Sequence, residues 1–500
     1  MIIKLYSLFP FYILLIPVFY IWHLVNSLFG LVPVRYVLEY LGWYLLLGLT
    51  VFGIALLFLR NKIKSGVWSG VFLLVFFFWG SMHDWLRLQL GNSFFSSYKF
   101  LLGSLLLLMI FFSIRLKKKK QPPFRFHAFL LLLSFLFILA EMINTSLNLS
   151  NHLQEKNNLA VKQLDLKSAS VNSLTTLPDI FIFTFDEYTS GPALEKYFGF
   201  SNIKLDSTLA SSGFFIADSS KSNYNSTVHS LASFFNMQYL RGDLEGKDLQ
   251  PLTVLQAQET ISKSAAVRYM NGLGYKVINQ GISNLPQAPS RHEPYFYAPL
   301  AGSLAFETLW GRIKKDILWN LMPPGPSSVT KIWALAQQSD SILAVMDKSL
   351  YELRSESASP RLLWSHVMIT HYPYFFHSDG ILRTPSSLNE RIGPAADSLY
   401  LLQVKYCNTF IDSIISATRM VRTRPAVIIL LGDHGKRDDI VKPETYDKQF
   451  MNLTAIYFPD KDYGPVSKNI SPVNVLRIVM NKYFNQHLPV LKDSTILMKI

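Results

Sequence analysis

The chain is 500 residues long, half hydrophobic and only 16% charged, against roughly 25% charged in an ordinary soluble domain. The formal charge is +14, but +10 of it lies before residue 147, in the most apolar part of the chain. That placement sets aside nucleic acid, which is held by a basic face on a folded domain. The apolar content excludes a disordered chain, and one cysteine, Cys407, excludes a disulfide framework.

Five apolar stretches, 5–27, 37–59, 66–86, 100–116 and 126–146, approach the roughly 20 residues that cross a bilayer. The first has no small-residue cleavage site and four more follow it, so it reads as a span and not as a signal peptide. With the N-terminus inside, Lys4, Arg60, Lys62, Lys64, Arg115, Lys117, Lys118, Lys119, Lys120 and Arg125 fall on the cytoplasmic side. Arg35, Arg87 and Lys99 fall outside. Basic residues favour the inside, so everything after residue 146 is expected outside the cytoplasm. His23, Glu39, His83, Asp84 and Glu141 lie near predicted span ends, with no evident mid-span partner. A transport path, which needs such residues, is therefore not indicated.

Residues 147–178 are polar, with apolar side chains at helical spacing, and are expected to be a linker with a short amphipathic helix. From 179 onward short apolar runs alternate with helical patterns. The strands are expected at 179–185, 213–217, 275–278, 362–369, 426–431 and 453–458. Helices are expected at 227–236, 258–272, 328–354, 394–420 and 472–484. Such alternation predicts an α/β domain with a largely parallel sheet covered by helices. The expected organisation is thus a five-helix transmembrane region (1–146), a linker (147–178) and a catalytic domain (179–500). Pro323-Pro324-Gly325-Pro326 marks an internal loop.

Ligands bind at the carboxyl ends of strands in such sheets. One strand runs into Asp186-Glu187 and another into Gly432-Asp433-His434-Gly435. If the two strands are parallel, two carboxylates and an imidazole meet on one edge, a donor set for a divalent metal. Ser226 and Thr227 open a helix, where either would serve as N-cap; a hydroxyl beside a metal would instead be an activated nucleophile. His366, His371 and His377 crowd into twelve residues after another strand, although the whole chain has 11 histidines. Lys221 and Arg291 are further candidates for phosphate contact, as is His292 beside Arg291.

These four elements, in this order, resemble the alkaline phosphatase and sulfatase superfamily over residues 178–495. Within it the chain looks most like membrane-anchored sulfatase-like phosphotransferases, the lipoteichoic acid synthases and lipid A phosphoethanolamine transferases. The resemblance implies Asp433 and His434 as metal ligands, with Asp186 or Glu187 as the first acidic ligand. It implies Thr227 as nucleophile and a ligand to the metal, and His371 as a catalytic histidine near the phosphate. His366, His377, Lys221 and Arg291 would contact substrate. The implied cofactor is zinc or manganese. The implied partners are a membrane phospholipid donor and a glycan or glycolipid acceptor. The implied location is a bacterial cytoplasmic membrane with the catalytic domain periplasmic or extracellular.

Two departures narrow this. No Cys/Ser-x-Pro-x-Arg motif surrounds Thr227, which argues against sulfate ester hydrolysis. Residues 435–486 contain no histidine, so one metal is expected and not two. A membrane-bound phosphodiesterase, phosphatase or sulfatase-type hydrolase is the alternative reading, with water as acceptor. A metal-free binding protein would not need four chemically competent residues.

Overall fold

The computed structural model describes residues 9–28, 31–91, 93–155, 164, 166–167, 177–240, 251–290, 304–313, 327–383, 394–420, 423–437 and 443–499. The chain divides into two compact units. One comprises Met1–Gln154 with Tyr297–Ser327; the other comprises Glu155–Phe296 with Ser328–Ile500.

The first unit is helical: α1 (Tyr12–Ser27), α2 (Val34–Leu59), α3 (Lys62–Phe77), α4 (Trp79–Leu90), α5 (Tyr98–Lys118) and α6 (Phe124–Glu155). Three of these helices, α2, α5 and α6, are long and apolar enough to cross a membrane, or four spans if α3 and α4 count as one, bent by 60°. The first apolar stretch appears among the described residues only as the 16-residue α1. Among the described residues the helix lengths thus give three or four spans, and the fifth expected span is not confirmed. The outer faces are apolar, with Leu57 78% exposed and Leu107 69%, which suits lipid and not water. Small residues let the helices approach: a Cβ on Gly48 would lie 2.5 Å from the Ile13 carbonyl oxygen.

Glu141 does have a partner, contrary to the sequence reading. Its carboxylate lies 2.9 Å from His23 Nδ1 and accepts from Asn26 Nδ2 at 2.7 Å, tying α6 to α1. Residues 304–313, drawn from far down the chain, also belong to this unit. Leu304 is fully buried among its apolar side chains. Arg312 Nη1 and Nη2 donate to the two Asp84 oxygens at 3.0 and 2.6 Å, and Nη2 also reaches Glu307 at 2.9 Å.

The second unit is built on a six-stranded sheet of order β2-β6-β5-β1-β4-β3. Its strands are β1 (Asp179–Phe185), β2 (Phe215–Ile216), β3 (Lys276–Gln280), β4 (Arg361–Val367), β5 (Ala426–Gly432) and β6 (Thr454–Tyr457). β5, β1, β4 and β3 run parallel; at one edge β6 pairs antiparallel with β5, and β2 antiparallel with β6. Strand side chains alternate between faces. Ile180 and Ile182 of β1 join one buried cluster with Trp364, Val427 and Ile429; Phe181, Phe183 and Phe185 join another with Leu363, Ile428 and Leu430. Both faces are therefore buried, which is why these strands read as unbroken apolar runs.

Helices α7 (Gly191–Phe198) and α8 (Ile203–Ser211) follow β1; α9 (Thr227–Asn236), α10 (Pro251–Ser262) and α11 (Ala265–Gly272) precede β3. Helix α12 (Leu309–Arg312) belongs to the other unit. The long α13 (Ser327–Arg354), α14 (Pro394–Thr418) and α15 (Pro472–Phe484) complete the set. The single helix expected at 258–272 is two. Asn236 Oδ1 accepts from the Ala265 amide at 3.1 Å, so α11 begins afresh there. Of the expected linker, α6 takes the first residues up to Glu155, and Leu164, Leu166 and Leu177 pack on the sheet's core. The Pro323–Pro326 loop lies outside the described residues.

Candidate metal centre

Register places the site. In the parallel pair of β1 and β5, Phe185 stands opposite Gly432, so the next residues, Asp186 and Asp433, leave the sheet side by side. The Asp433 amide donates to Phe185 O at 3.4 Å and the Asp186 amide to Val367 O at 3.1 Å, holding both turns to the strand ends. No side chain fits at Gly432 or Gly435: a Cβ would lie 2.3 Å from Tyr188 O at the first and 2.0 Å from Lys448 O at the second. The glycine of Asp433-His434-Gly435 is thus required by a backbone crossing.

Asp186, Asp433 and His434 each bring one ligand atom to within 4.8 Å of the others, and all three are buried. Asp433 Oδ1 is occupied, accepting from the amides of Glu187 (3.0 Å) and His434 (2.9 Å). Asp433 Oδ2 and Asp186 Oδ1 are buried without a hydrogen-bond partner. Orphaned buried carboxylate oxygens are costly. Their chemistry, with a neighbouring imidazole, fits a divalent cation.

Asp186 Oδ2 is bonded to His366 Nε2 at 3.1 Å, and the His366 side chain is fully buried. His366 is therefore a support for the carboxylate, not a group open to substrate as expected. Thr227 is the first residue of α9 and only half-buried. Its Oγ1 lies 3.2 Å from His434 Nε2. Ser226 occupies the N-cap position without capping; its Oγ is bonded instead to His229 Nδ1 at 3.0 Å. Burial pushes the His229 imidazole down to about 3, so it is neutral.

Glu187 turns away from this trio. It has φ +59°, unusual for a residue with a side chain. Tyr400 helps hold it there, its hydroxyl donating to Glu187 O at 2.8 Å. The Glu187 carboxylate accepts from Arg437 Nε at 2.7 Å, and Arg437 Nη2 is 3.4 Å from His371 Nε2. Arg437 was not among the sequence candidates, although it stands only four positions after Asp433.

The charges interlock. Burial alone would raise the Asp186 carboxyl, but the His371, His366 and His434 imidazoles outweigh it and hold it well below the usual range. Burial likewise opposes ionisation of Glu187, and Arg437 with the His371 and His434 imidazoles overcomes it. Asp433 goes the other way: burial and the Asp186 charge raise it.

The remaining candidates are placed elsewhere. Lys221 pairs with Asp447 at 2.8 Å, and both are substantially exposed. His377 is exposed in a turn, its amide bonded to Ile381 O. Arg291 and His292 lie outside the described residues.

No family model and no curated protein matches the chain. Solved structures do resemble it. The integral membrane lipooligosaccharide phosphoethanolamine transferase A from Neisseria meningitidis aligns with 93% of this chain and 95% of its own, at 12% identity and TM-score 0.39. The C-terminal periplasmic domain of EcEptC from Escherichia coli covers 66% of this chain and 92% of its own, at 12% identity and TM-score 0.38. A protein in the alkaline phosphatase superfamily from Vibrio parahaemolyticus covers 69% and 79%, at 12% identity and TM-score 0.38. The chain is thus similar to membrane-anchored phosphotransferases and to their superfamily. At such identities and TM-scores the likeness assigns no chemistry to it.

Proposed function

We propose that this is a metal-dependent phosphotransferase acting outside the cytoplasm. It would move the phospho-head-group of a membrane phospholipid to a glycan or glycolipid through a phospho-threonine intermediate. One observation carries the reading: a half-buried threonine hydroxyl at a helix start lies 3.2 Å from an imidazole that shares its cluster with two buried carboxylates.

Asp186, Asp433 and His434 would hold the cation, zinc or manganese. When bound, a divalent ion supplies Lewis acidity, lowering the pKa of a nearby hydroxyl and neutralising phosphate charge. The chain's own residues do the rest. Thr227 loses its hydroxyl proton to solvent and its Oγ attacks phosphorus; the new bond is Thr227 Oγ–P, and the bond that breaks joins phosphorus to the diacylglycerol oxygen. That leaving oxygen needs a proton, and His371, whose Nε2 lies 3.4 Å from Arg437 Nη2, would give it when protonated. In the second step an acceptor hydroxyl gives its proton to the now neutral His371 and its oxygen attacks phosphorus; the Thr227 Oγ–P bond breaks. His366 orients Asp186, and Tyr400 with Glu187 fixes the turn beside it. The N-terminal apolar helices keep the enzyme at a lipid surface.

The test is a mass comparison of membrane lipids and surface glycans from cells carrying the wild type or Thr227→Ala. Thr227→Ala is expected to abolish the mass increment on the glycan while expression and metal content stay normal. Unchanged glycans would defeat the nucleophile assignment. Head-group release by purified protein with no acceptor present would make the enzyme a hydrolase.

A further inference from the structure

We propose that Arg437 is the anion-binding residue of this site, held by Glu187, and that it clamps the non-bridging oxygens of the phosphoryl group. The inference rests on the reading of the cluster as a phosphoryl-transfer site and adds the residue that recognises the substrate's charge.

Four observations support it. Arg437 sits in the loop that carries Asp433 and His434, so the same strand end positions metal ligands and guanidinium. Its side chain is 22% exposed, enough to be reached by a ligand, unlike the buried carboxylates beside it. Its contact with Glu187 uses Nε, so Nη1 and Nη2 are not spent on that carboxylate. Nη2 donates a long hydrogen bond of 3.4 Å to His371 Nε2, which sets the guanidinium beside the second residue proposed to meet the phosphoryl group.

A structural ion pair explains these facts less well. Burying an arginine and a glutamate costs desolvation that their attraction scarcely repays. Glu187 also has a left-handed backbone, which adds strain. The arrangement makes sense if it pre-orients a guanidinium. An arginine fork matches two oxygens of a phosphoryl group, as a lysine point charge does not. It also fills a gap, since residues 435–486 hold no histidine that could meet the phosphate from this side.

The experiment uses the full-length protein in detergent, loaded with zinc, with inorganic phosphate as the probe. Phosphate affinity is measured by calorimetry and metal content by mass spectrometry. Arg437→Met should weaken phosphate binding about 10- to 100-fold at unchanged metal content, the loss of a charge-assisted bidentate contact. Arg437→Lys should recover part of the loss. Glu187→Gln should weaken binding less than Arg437→Met, because the guanidinium stays but is no longer held. Wild-type phosphate affinity in metal-replete Arg437→Met would overturn the proposal and leave the phosphotransferase reading standing. Loss of zinc together with phosphate would also overturn it, making Arg437 a support for the metal cluster. If the methionine variant does not fold, Arg437→Lys decides: full affinity refutes, a clear loss supports. A wild type that binds neither zinc nor phosphate defeats the function reading as well.

Discussion

Asp433→Asn should move stability in opposite directions with and without metal. Asp433 and Asp186 are both buried, with ligand atoms no more than 4.8 Å apart. At an effective dielectric of about 20, two unit charges at that distance repel by about 3.5 kcal/mol. The neighbouring His434 and His366 imidazoles offset part of this, leaving a net gain of about 1–3 kcal/mol when the charge is removed without metal. Asparagine Oδ1 can still accept from the Glu187 and His434 amides, so the turn should survive. The pH dependence has a definite sign. Burial and Asp186 raise Asp433 in the fold, so its ionisation lowers stability as pH climbs above the unfolded value. In chelator, the variant should therefore match the wild type near pH 4 and exceed it increasingly toward neutrality. In excess zinc the order reverses, since saturation at about 1,000 times Kd is worth about 4 kcal/mol to the wild type and the variant lacks a ligand. Thermal unfolding of the detergent-solubilised chain, followed by tryptophan fluorescence from pH 4 to 8, reads both. A variant less stable than wild type in chelator at neutral pH would refute the like-charge account of the cluster.

Two further outcomes follow from neighbouring contacts. His366→Ala removes the hydrogen bond to Asp186 Oδ2 and should weaken zinc affinity about 10- to 100-fold, measured by competition with a chromogenic chelator; an unchanged affinity would show that Asp186 needs no such support. Arg361→Ala strips Asp179 of a buried pair at 2.6 Å and should cost about 3–5 kcal/mol, visible as a lower midpoint of thermal unfolding with metal present. A shift of a degree or less would mean that the Arg361 amide, which also bonds Asp179, satisfies the carboxylate alone.

The sheet was legible because burial on both faces makes β1, β4 and β5 mostly apolar, with only Thr184, Ser365 and His366 polar in their interiors, and all six strands fall where the apolar runs lie. Helices α7 and α8 were not read, although Pro192 at the start of α7 and Gly199 in left-handed conformation at its end are ordinary helix signals. Asp186, Asp433, His434 and Thr227 were legible as strand-end and helix-start residues. Their meeting depends on the β1–β5 register, which a sequence does not display. Arg437 was overlooked because a basic pair, Lys436-Arg437, after a glycine has the look of a solvated loop; only the Glu187 turn gives the arginine its carboxylate partner. His366 was given the wrong neighbour for a similar reason. A strand buried on both faces says that it is buried, but not that its face is the Asp186 side. The His23–Glu141 tie needed two helices more than a hundred residues apart to pack, and no local pattern announces that.

The excursion of residues 304–313 into the helical unit has a practical meaning for dissection of the protein. A chain begun after α6 would still contain that segment, since it is encoded between β3 and β4. Leu304 would lose its apolar cover and Arg312 would lose Asp84. The sheet-bearing unit is therefore not a separable stretch of sequence. Freeing it from lipid calls for closing the gap between residues 296 and 328 as well as removing the first 154 residues, and a simple truncation would carry a sticky remnant of the membrane unit into water.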